Sequence, residues 1–113
     1  MTTIYHNPRC SKSRTTLALL EELGISLVVV EYLKTPPGHT EIRKIIEKLR
    51  LRPRDIVRKT EAEKAGIDPD LLSAEEMIAA IAAHPEIMER PIVINGDKAV
   101  IGRPPENVLA IIK

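Results

Sequence analysis

The order of strand-like and helix-like segments along the chain is the feature that most constrains its fold. Residues 2–6 form an apolar segment that predicts a strand, and residues 11–23 carry leucines at the spacing of an amphipathic helix. Residues 27–30 are Leu-Val-Val-Val, a run that predicts a second strand, buried on both faces as in a parallel sheet. Strand, helix and strand in this order make a βαβ unit, for which a right-handed crossover is expected.

The middle of the chain predicts helices only. Thr40 is expected to cap a helix whose apolar side recurs at the spacing i, i+3, i+4 and i+7, through Ile42, Ile45, Ile46 and Leu49. Ser73 and Glu76 have the spacing of a capping box and predict the start of another helix, which His84 and the following proline end.

The last third of the chain predicts two strands and a helix. The segment from Arg90 to Ile94 enters a strand, Asn95-Gly96 is a typical hairpin turn, and the chain returns antiparallel from Lys98. A final helix is expected from Pro104 onward. The whole order predicts an α/β fold with a four-stranded mixed sheet flanked by helices, and a helical insertion between the βαβ and ββα halves. That order is the thioredoxin-like pattern.

Composition restricts the possible functions. The 113 residues suit one domain, and the net charge of +1 with no Phe or Trp argues against nucleic-acid and anionic-membrane binding. The chain has no apolar run of about 18 residues and no signal-peptide pattern, so we expect a cytosolic protein. A single cysteine cannot form an internal disulfide, and the three histidines and one cysteine are not closely paired. We therefore expect neither a metal nor a tightly bound cofactor.

Cys10 is the candidate nucleophile. It lies where the first strand gives way to the first helix, close to Arg9, Lys12 and Arg14, and no acidic residue occurs between positions 6 and 14. A helix N-terminus and neighbouring cations stabilise a thiolate, which is the reactive form of cysteine. The alternative is a free cysteine packed in the core, which is the usual fate of this residue type.

Two neighbours of Cys10 are candidates for supporting its thiolate. Ser13 lies three residues later, on the same face of the first helical turn, and its hydroxyl can donate a hydrogen bond to the sulfur. A second cysteine at this position would resolve a mixed disulfide, whereas serine cannot. His6, just upstream, can add another donor or a positive charge.

Arg58, Arg90 and Arg103 are candidates for binding an anion. Each lies at a boundary between predicted elements, where functional sites usually occur. The guanidinium group binds tetrahedral oxyanions through paired hydrogen bonds. Because the chain has 17 Lys and Arg residues, the alternative for each is a solvated surface charge.

The sequence resembles the glutaredoxin-linked arsenate reductases of the thioredoxin superfamily over nearly its whole length. The resemblance is carried by residues 5–14, by Tyr32-Leu33 with Pro36-Pro37, by residues 57–59, by residues 89–93 and by residues 102–104. It implies a single thioredoxin-like arsenate reductase domain over residues 1–113, with Cys10 as nucleophile.

The same resemblance assigns roles to individual residues. It implies that Arg58, Arg90 and Arg103 converge on the oxyanion and that His6 and Ser13 help to hold the thiolate. It also implies that Pro91 follows a cis peptide bond.

The expected activity is the reduction of arsenate to arsenite. One sulfur cannot form an intramolecular disulfide, so an external thiol must resolve the intermediate at Cys10. The resemblance names glutathione as this co-substrate and glutaredoxin as the partner that regenerates it. We expect a monomer.

Two other functions remain open. One is a general glutathione-dependent thiol oxidoreductase. The other is a polymerase-binding regulator of the Spx type, although such regulators usually carry Cys-x-x-Cys where this chain has Ser13.

Overall fold

The computed structural model describes residues 1–112, and within them four strands form a single mixed sheet. The strands are β1 (Thr2–His6), β2 (Leu27–Glu31), β3 (Ile92–Asn95) and β4 (Lys98–Ile101), in the spatial order β2-β1-β3-β4. β1 runs parallel to β2 and antiparallel to β3, and β3 runs antiparallel to β4. The mixed sheet expected from the sequence is confirmed.

Along the chain, the helices alternate with the strands in the order that the sequence predicts. The α-helices are α1 (Ser11–Glu22), α2 (His39–Leu49), α3 (Lys59–Lys64) and α4 (Ala74–Ala83). Short 3₁₀ helices span Pro53–Ile56, Pro69–Leu71, Pro85–Ile87 and Pro105–Ala110. No helix within the described residues is both long and apolar enough to cross a bilayer.

The chain divides into two compact units. The sheet unit comprises Met1–Thr35 and the segment from Arg90 onward, and the helical unit comprises Pro36–Glu89. The prediction of a single domain over residues 1–113 stays a prediction.

The core of each unit is mainly aliphatic, since the chain has no Phe or Trp, and Tyr5 and Tyr32 are the buried aromatic side chains of the sheet unit. In the sheet unit, Ile4, Leu20, Val93 and Val108 are fully buried and bring together the sheet, α1 and the last 3₁₀ helix. In the helical unit, α2 packs on α4. The buried side chains of these two helices are Ile42, Ile45, Ile46, Met77, Ile78 and Ile81.

A helix cap and a turn that the sequence predicts are both present. Ser73 and Glu76 form the capping box of α4, with the Glu76 N–H donating to the Ser73 hydroxyl and the Ser73 N–H donating to the Glu76 carboxylate. The β3–β4 hairpin turns at Gly96, whose φ of 65° lies in the left-handed region that glycine adopts without strain.

Three expectations were wrong in detail. β2 is not buried on both faces, since it is an edge strand, and Val28 and Val29 are 41% and 45% exposed. α2 begins at His39 with Gly38 at the N-cap, so Thr40 lies inside the helix and does not cap it. The last helix is a 3₁₀ helix, Pro105–Ala110, which starts one residue after Pro104.

Candidate active site

Cys10 occupies the N-cap position of α1, directly after the turn that follows β1. Its N–H donates to the Asn7 carbonyl at 3.0 Å, and its own carbonyl accepts the Arg14 N–H at 3.0 Å. These two bonds fix the backbone on both sides of the residue. The half-buried sulfur therefore lies at the amino end of the helix, as the sequence predicts.

The surroundings of Cys10 lower the pKa of its thiol below the ordinary value. Partial burial acts in the opposite direction and raises the pKa, but the backbone N–H groups of Ser13 and Lys12 and the charge and side-chain hydrogen bond of Arg90 outweigh it. Free N–H groups at a helix start stabilise an anion there. The thiolate is thus favoured by the helix start and by one arginine.

The Ser13 hydroxyl has a different partner from the one expected. Ser13 Oγ is buried 2.7 Å from His6 Nδ1, and it accepts the Asn7 N–H at 3.0 Å. Burial lowers the pKa of His6, and Arg14 lowers it further against the opposing effect of Glu31.

A neutral His6 at neutral pH lets Nδ1 accept the hydroxyl proton of Ser13. His6 and Ser13 therefore brace the loop before Cys10. The contribution of Ser13 to the thiolate comes from its backbone N–H rather than from its hydroxyl.

Arg90 and Arg103 reach the same edge of the sheet as Cys10. Arg103 Nη1 lies 3.6 Å from Cys10 Sγ and 3.5 Å from the Arg90 carbonyl oxygen. Arg90 is less exposed, and its Nε and Nη1 are buried without a hydrogen-bond partner among the described residues. Buried donors of a cation are costly unless an acceptor binds them, so these nitrogens mark a place for an anion.

The loops that carry these arginines meet through Gly102. The Gly102 N–H donates to the Pro91 carbonyl at 2.9 Å, and a Cβ at Gly102 would lie 2.9 Å from both Pro91 Cγ and Thr16 Oγ1. The buried Thr16 Oγ1 lies 3.2 Å from the Gly102 carbonyl and 2.8 Å from that of Lys12. Only glycine fits at this junction between α1 and the two arginine loops.

The peptide bond Arg90–Pro91 is cis, as the resemblance implies, and Arg103–Pro104 is cis as well, which the sequence analysis did not predict. The roles of Thr16 and Gly102 were also missed. A glycine directly before Arg103-Pro104 was a usable signal of a close backbone approach. Nothing in the sequence singled out Thr16.

Arg58 belongs to the helical unit, where it is the N-cap residue of α3. Its N–H donates to the Ile87 carbonyl at 2.7 Å, and its guanidinium lies 3.5 Å from a Glu61 oxygen and 3.7 Å from a Glu89 oxygen. Two carboxylates therefore hold its side chain. That Arg58 joins Arg90 and Arg103 on one oxyanion stays a prediction.

No group of three His, Cys, Asp or Glu side chains within residues 1–112 could hold a metal ion. The reactive groups that the structure brings together are one thiol and two guanidinium groups, at the end of a four-stranded mixed sheet. Fold and site together define a thioredoxin-like protein whose one thiol lies at a helix start beside an arginine.

Comparison with known proteins identifies the family. The model of the ArsC family matches residues 5–111. An arsenate reductase of Haemophilus influenzae is 50% identical over 112 residues, covering 96% of this chain and 97% of that protein. An arsenate reductase of Neisseria meningitidis serogroup B is 46% identical over 112 residues, covering 96% of each chain. The structure of an arsenate reductase from Vibrio cholerae superposes with a TM-score of 0.88 at 43% identity, covering 98% of this chain and 97% of that one. This chain belongs to the ArsC family.

Proposed function

We infer that this protein reduces arsenate to arsenite, with Cys10 as the nucleophile. The observation that carries this inference is the pair of buried Arg90 nitrogens that have no hydrogen-bond partner in the described part of the chain, beside a thiol of lowered pKa. A tetrahedral oxyanion supplies the acceptors that these nitrogens lack. The arsenate reductases among the relatives, at 46% and 50% identity, support arsenate as that oxyanion.

The first step joins sulfur to arsenic. The Cys10 thiolate attacks As(V), an S–As bond forms, and an arsenate oxygen leaves as water after protonation. Arg90 and Arg103 stabilise the negative charge of the oxyanion and of the transition state, and Arg58 joins them in this role. Donors aimed at developing charge are usually the largest single contribution to catalysis of this kind.

The second step needs a thiol from outside the chain, because Cys10 is the only cysteine. An external thiolate attacks Cys10 Sγ and forms a disulfide with it. The electron pair of the breaking S–As bond stays on arsenic, which leaves as As(III). A second thiol then displaces Cys10 from the mixed disulfide and restores its thiolate.

Glutathione is the external thiol of this proposal, and glutaredoxin regenerates the system. The cytosol is the proposed location, because glutathione keeps thiols reduced there. The family membership supports a thiol-dependent reductase, and the single cysteine supports an external resolving thiol.

The test is a reconstitution with purified protein, arsenate, glutathione and glutaredoxin, with arsenite measured by chromatography coupled to mass spectrometry. Omission of any one component should stop turnover, and Cys10→Ser should abolish it. Arg90→Ala should lower kcat by about 10²–10³-fold, the usual effect of removing one donor to an oxyanion. Arg43→Ala is the matched control, since Arg43 pairs with Glu75 in the helical unit.

The alternatives predict different results. A general thiol oxidoreductase would still exchange small disulfides after Arg90→Ala, with only the modest change in rate that the higher thiol pKa causes, and would yield no arsenite. A polymerase-binding regulator would retain RNA polymerase subunits in a pull-down, with Cys10→Ser as effective as the native chain. Full arsenate reduction by Cys10→Ser would contradict the proposed function.

A further inference from the structure

A cavity of about 430 Å³ opens at the edge of the sheet unit where β1 and β2 end. Its walls are residues 6–9, Glu31, Leu33 and Lys34. β1 and β2 are parallel with His6 opposite Glu31, so both strands deliver their carboxyl ends to this place. Crevices outside the carboxyl ends of parallel strands are the usual ligand sites of open α/β sheets, and this volume lies in the range of small-molecule sites.

The cavity and the two arginines lie on opposite sides of β1 in the strand order. Arg90 precedes β3 and Arg103 follows β4, so both belong to the β3–β4 side. The cavity belongs to the β2 side. Cys10 follows β1 itself, between the two. In the strand order, the two arginines and the cavity therefore lie on opposite sides of β1, the strand that leads to Cys10.

The charges of the cavity wall select its ligand. Arg9 and Lys34 bring two positive charges and Glu31 one negative charge, and Pro8 and Leu33 add apolar surface. A ligand with two carboxylates and one ammonium group matches this set charge for charge. Lys34 Nζ lies 3.4 Å from Glu31 Oε1, but this ion pair is largely exposed. Exchanging an exposed ion pair for ligand contacts costs little.

The cavity is joined to the nucleophile through the backbone. Asn7 lines the cavity, and its carbonyl accepts the Cys10 N–H at 3.0 Å. Arg9, the last lining residue of this segment, is bonded to Cys10. A ligand held here contacts residues 6–9, the segment that leads directly to Cys10.

We propose that this cavity binds the external thiol as a small peptide with two carboxylates and one ammonium group, of the glutathione type. Arg9 and Lys34 hold its carboxylates and Glu31 its ammonium group. Its thiolate attacks Cys10 Sγ, the S–S bond forms, and the S–As bond breaks with its electron pair on arsenic. This assignment rests on the proposed function in one respect only, namely that arsenic is the group that leaves Cys10.

The test measures the rate at which the mixed disulfide forms at Cys10, and it needs no arsenate. The reduced protein is mixed with glutathione disulfide or with the uncharged 2-hydroxyethyl disulfide, and the adduct is timed by intact-mass spectrometry. Lys34→Glu should slow the reaction with glutathione disulfide by about three- to tenfold, the effect of replacing one favourable exposed charge contact by a repulsive one. The rate with the uncharged disulfide should not change.

Lys98→Glu is the matched control. Lys98 is exposed at the start of β4, at the opposite edge of the sheet, and its replacement changes the net charge equally. An equal slowing by Lys34→Glu and Lys98→Glu would show a net-charge effect and overturn the proposal. So would a Lys34→Glu protein that slows with both disulfides alike.

A binding experiment gives a second readout. S-methylglutathione cannot form a disulfide, and in an NMR titration it should shift the amide signals of residues 6–9 and 31–34. Absence of these shifts would overturn the proposal. Turnover with glutaredoxin alone that Lys34→Glu does not change would also overturn it, because the resolving thiol would then belong to a protein. Selective reaction with glutathione disulfide in a protein that makes no arsenite would keep this site and reject the proposed function.

Discussion

Arg90 and Arg103 differ in what they offer to the site. Arg103 is exposed and reaches the sulfur with one nitrogen at 3.6 Å. Arg90 is less exposed and acts on the thiol through its charge and a hydrogen bond, and its Nε and Nη1 have no hydrogen-bond partner within residues 1–112. The thiolate and an incoming oxyanion are both negative. In the proposed reaction, Arg90 therefore stabilises the Cys10 thiolate before the reaction and binds the oxyanion during it.

Replacement of Arg90 should change the titration of Cys10 by itself. We expect Arg90→Ala to raise the pKa of the Cys10 thiol, because it removes a charge and a hydrogen bond that favour the thiolate. The measurement is the rate of alkylation by iodoacetamide as a function of pH, whose midpoint should move upward. Arg43→Ala should leave the midpoint in place, and an unmoved midpoint in Arg90→Ala would remove Arg90 from the thiol's surroundings.

His6 should make the stability of the protein depend on pH. Burial lowers its pKa in the native state, whereas the unfolded chain takes up this proton at about pH 6.5. As the pH falls below that value, protons bind the unfolded state first, so the free energy of unfolding decreases.

His6→Asn places an amide oxygen where Nδ1 accepts from Ser13 and removes the titration. Urea unfolding at pH 7.5 and 5.5 should show a larger loss of stability in the native chain than in His6→Asn. Equal losses of stability in the two proteins would mean that the pKa of His6 is the same in the native and the unfolded state.

The site is built from ends of elements. β1 leads into α1 at Cys10, β3 begins after Arg90, and β4 ends before Arg103. Because β3 is antiparallel to β1, its start lies beside the end of β1. The sheet topology thus gathers the thiol and two cations, and the bond between Thr16 and Gly102 ties α1 to the loop after β4.

Loss of the Thr16 hydroxyl should weaken this connection between elements. Thr16→Val keeps the shape of the side chain but removes the single hydroxyl donor that the Lys12 and Gly102 carbonyls share, at an expected cost of about 1–3 kcal/mol in the free energy of unfolding. Thr16→Ser restores the hydroxyl and should recover most of that loss. Urea unfolding at neutral pH measures both variants, and equal stability of Val and Ser at this position would contradict the role of the hydroxyl.

Along the chain, the helical unit is inserted between the two segments of the sheet unit. The sheet unit is made of two chain segments, and the helical unit occupies the chain between Thr35 and Arg90. The closing strands β3 and β4 therefore follow the helical unit in sequence, and the sheet is complete only when both segments are in place.

A single cooperative domain should unfold in one step. Hydrogen exchange of the β1 amides reports on the sheet unit, and hydrogen exchange of the α4 amides reports on the helical unit. We expect both to change at the same urea concentration, as two-state domains of this size usually do. Loss of the α4 protection at a lower concentration would make the single-domain prediction wrong.

The sequence by itself determined what depends on neighbours along the chain. Four features follow from patterns of a few residues: the short strand β1, the capping box of Ser73 and Glu76, the glycine turn between β3 and β4, and the place of Cys10 at a helix start. Their physics is local, since it consists of side-chain periodicity, capping and allowed φ angles.

Only the tertiary structure decided which groups meet. The valine run of β2 predicts a strand but not its place at the edge of the sheet. The sequence does not show which acceptor the Ser13 hydroxyl uses, and burial beside His6 selects His6 Nδ1. Thr16 and Gly102 are 86 residues apart, and the free donors of Arg90 depend on which acceptors the folded chain leaves within reach. These features come from contacts between distant segments, whose geometry a local pattern does not specify.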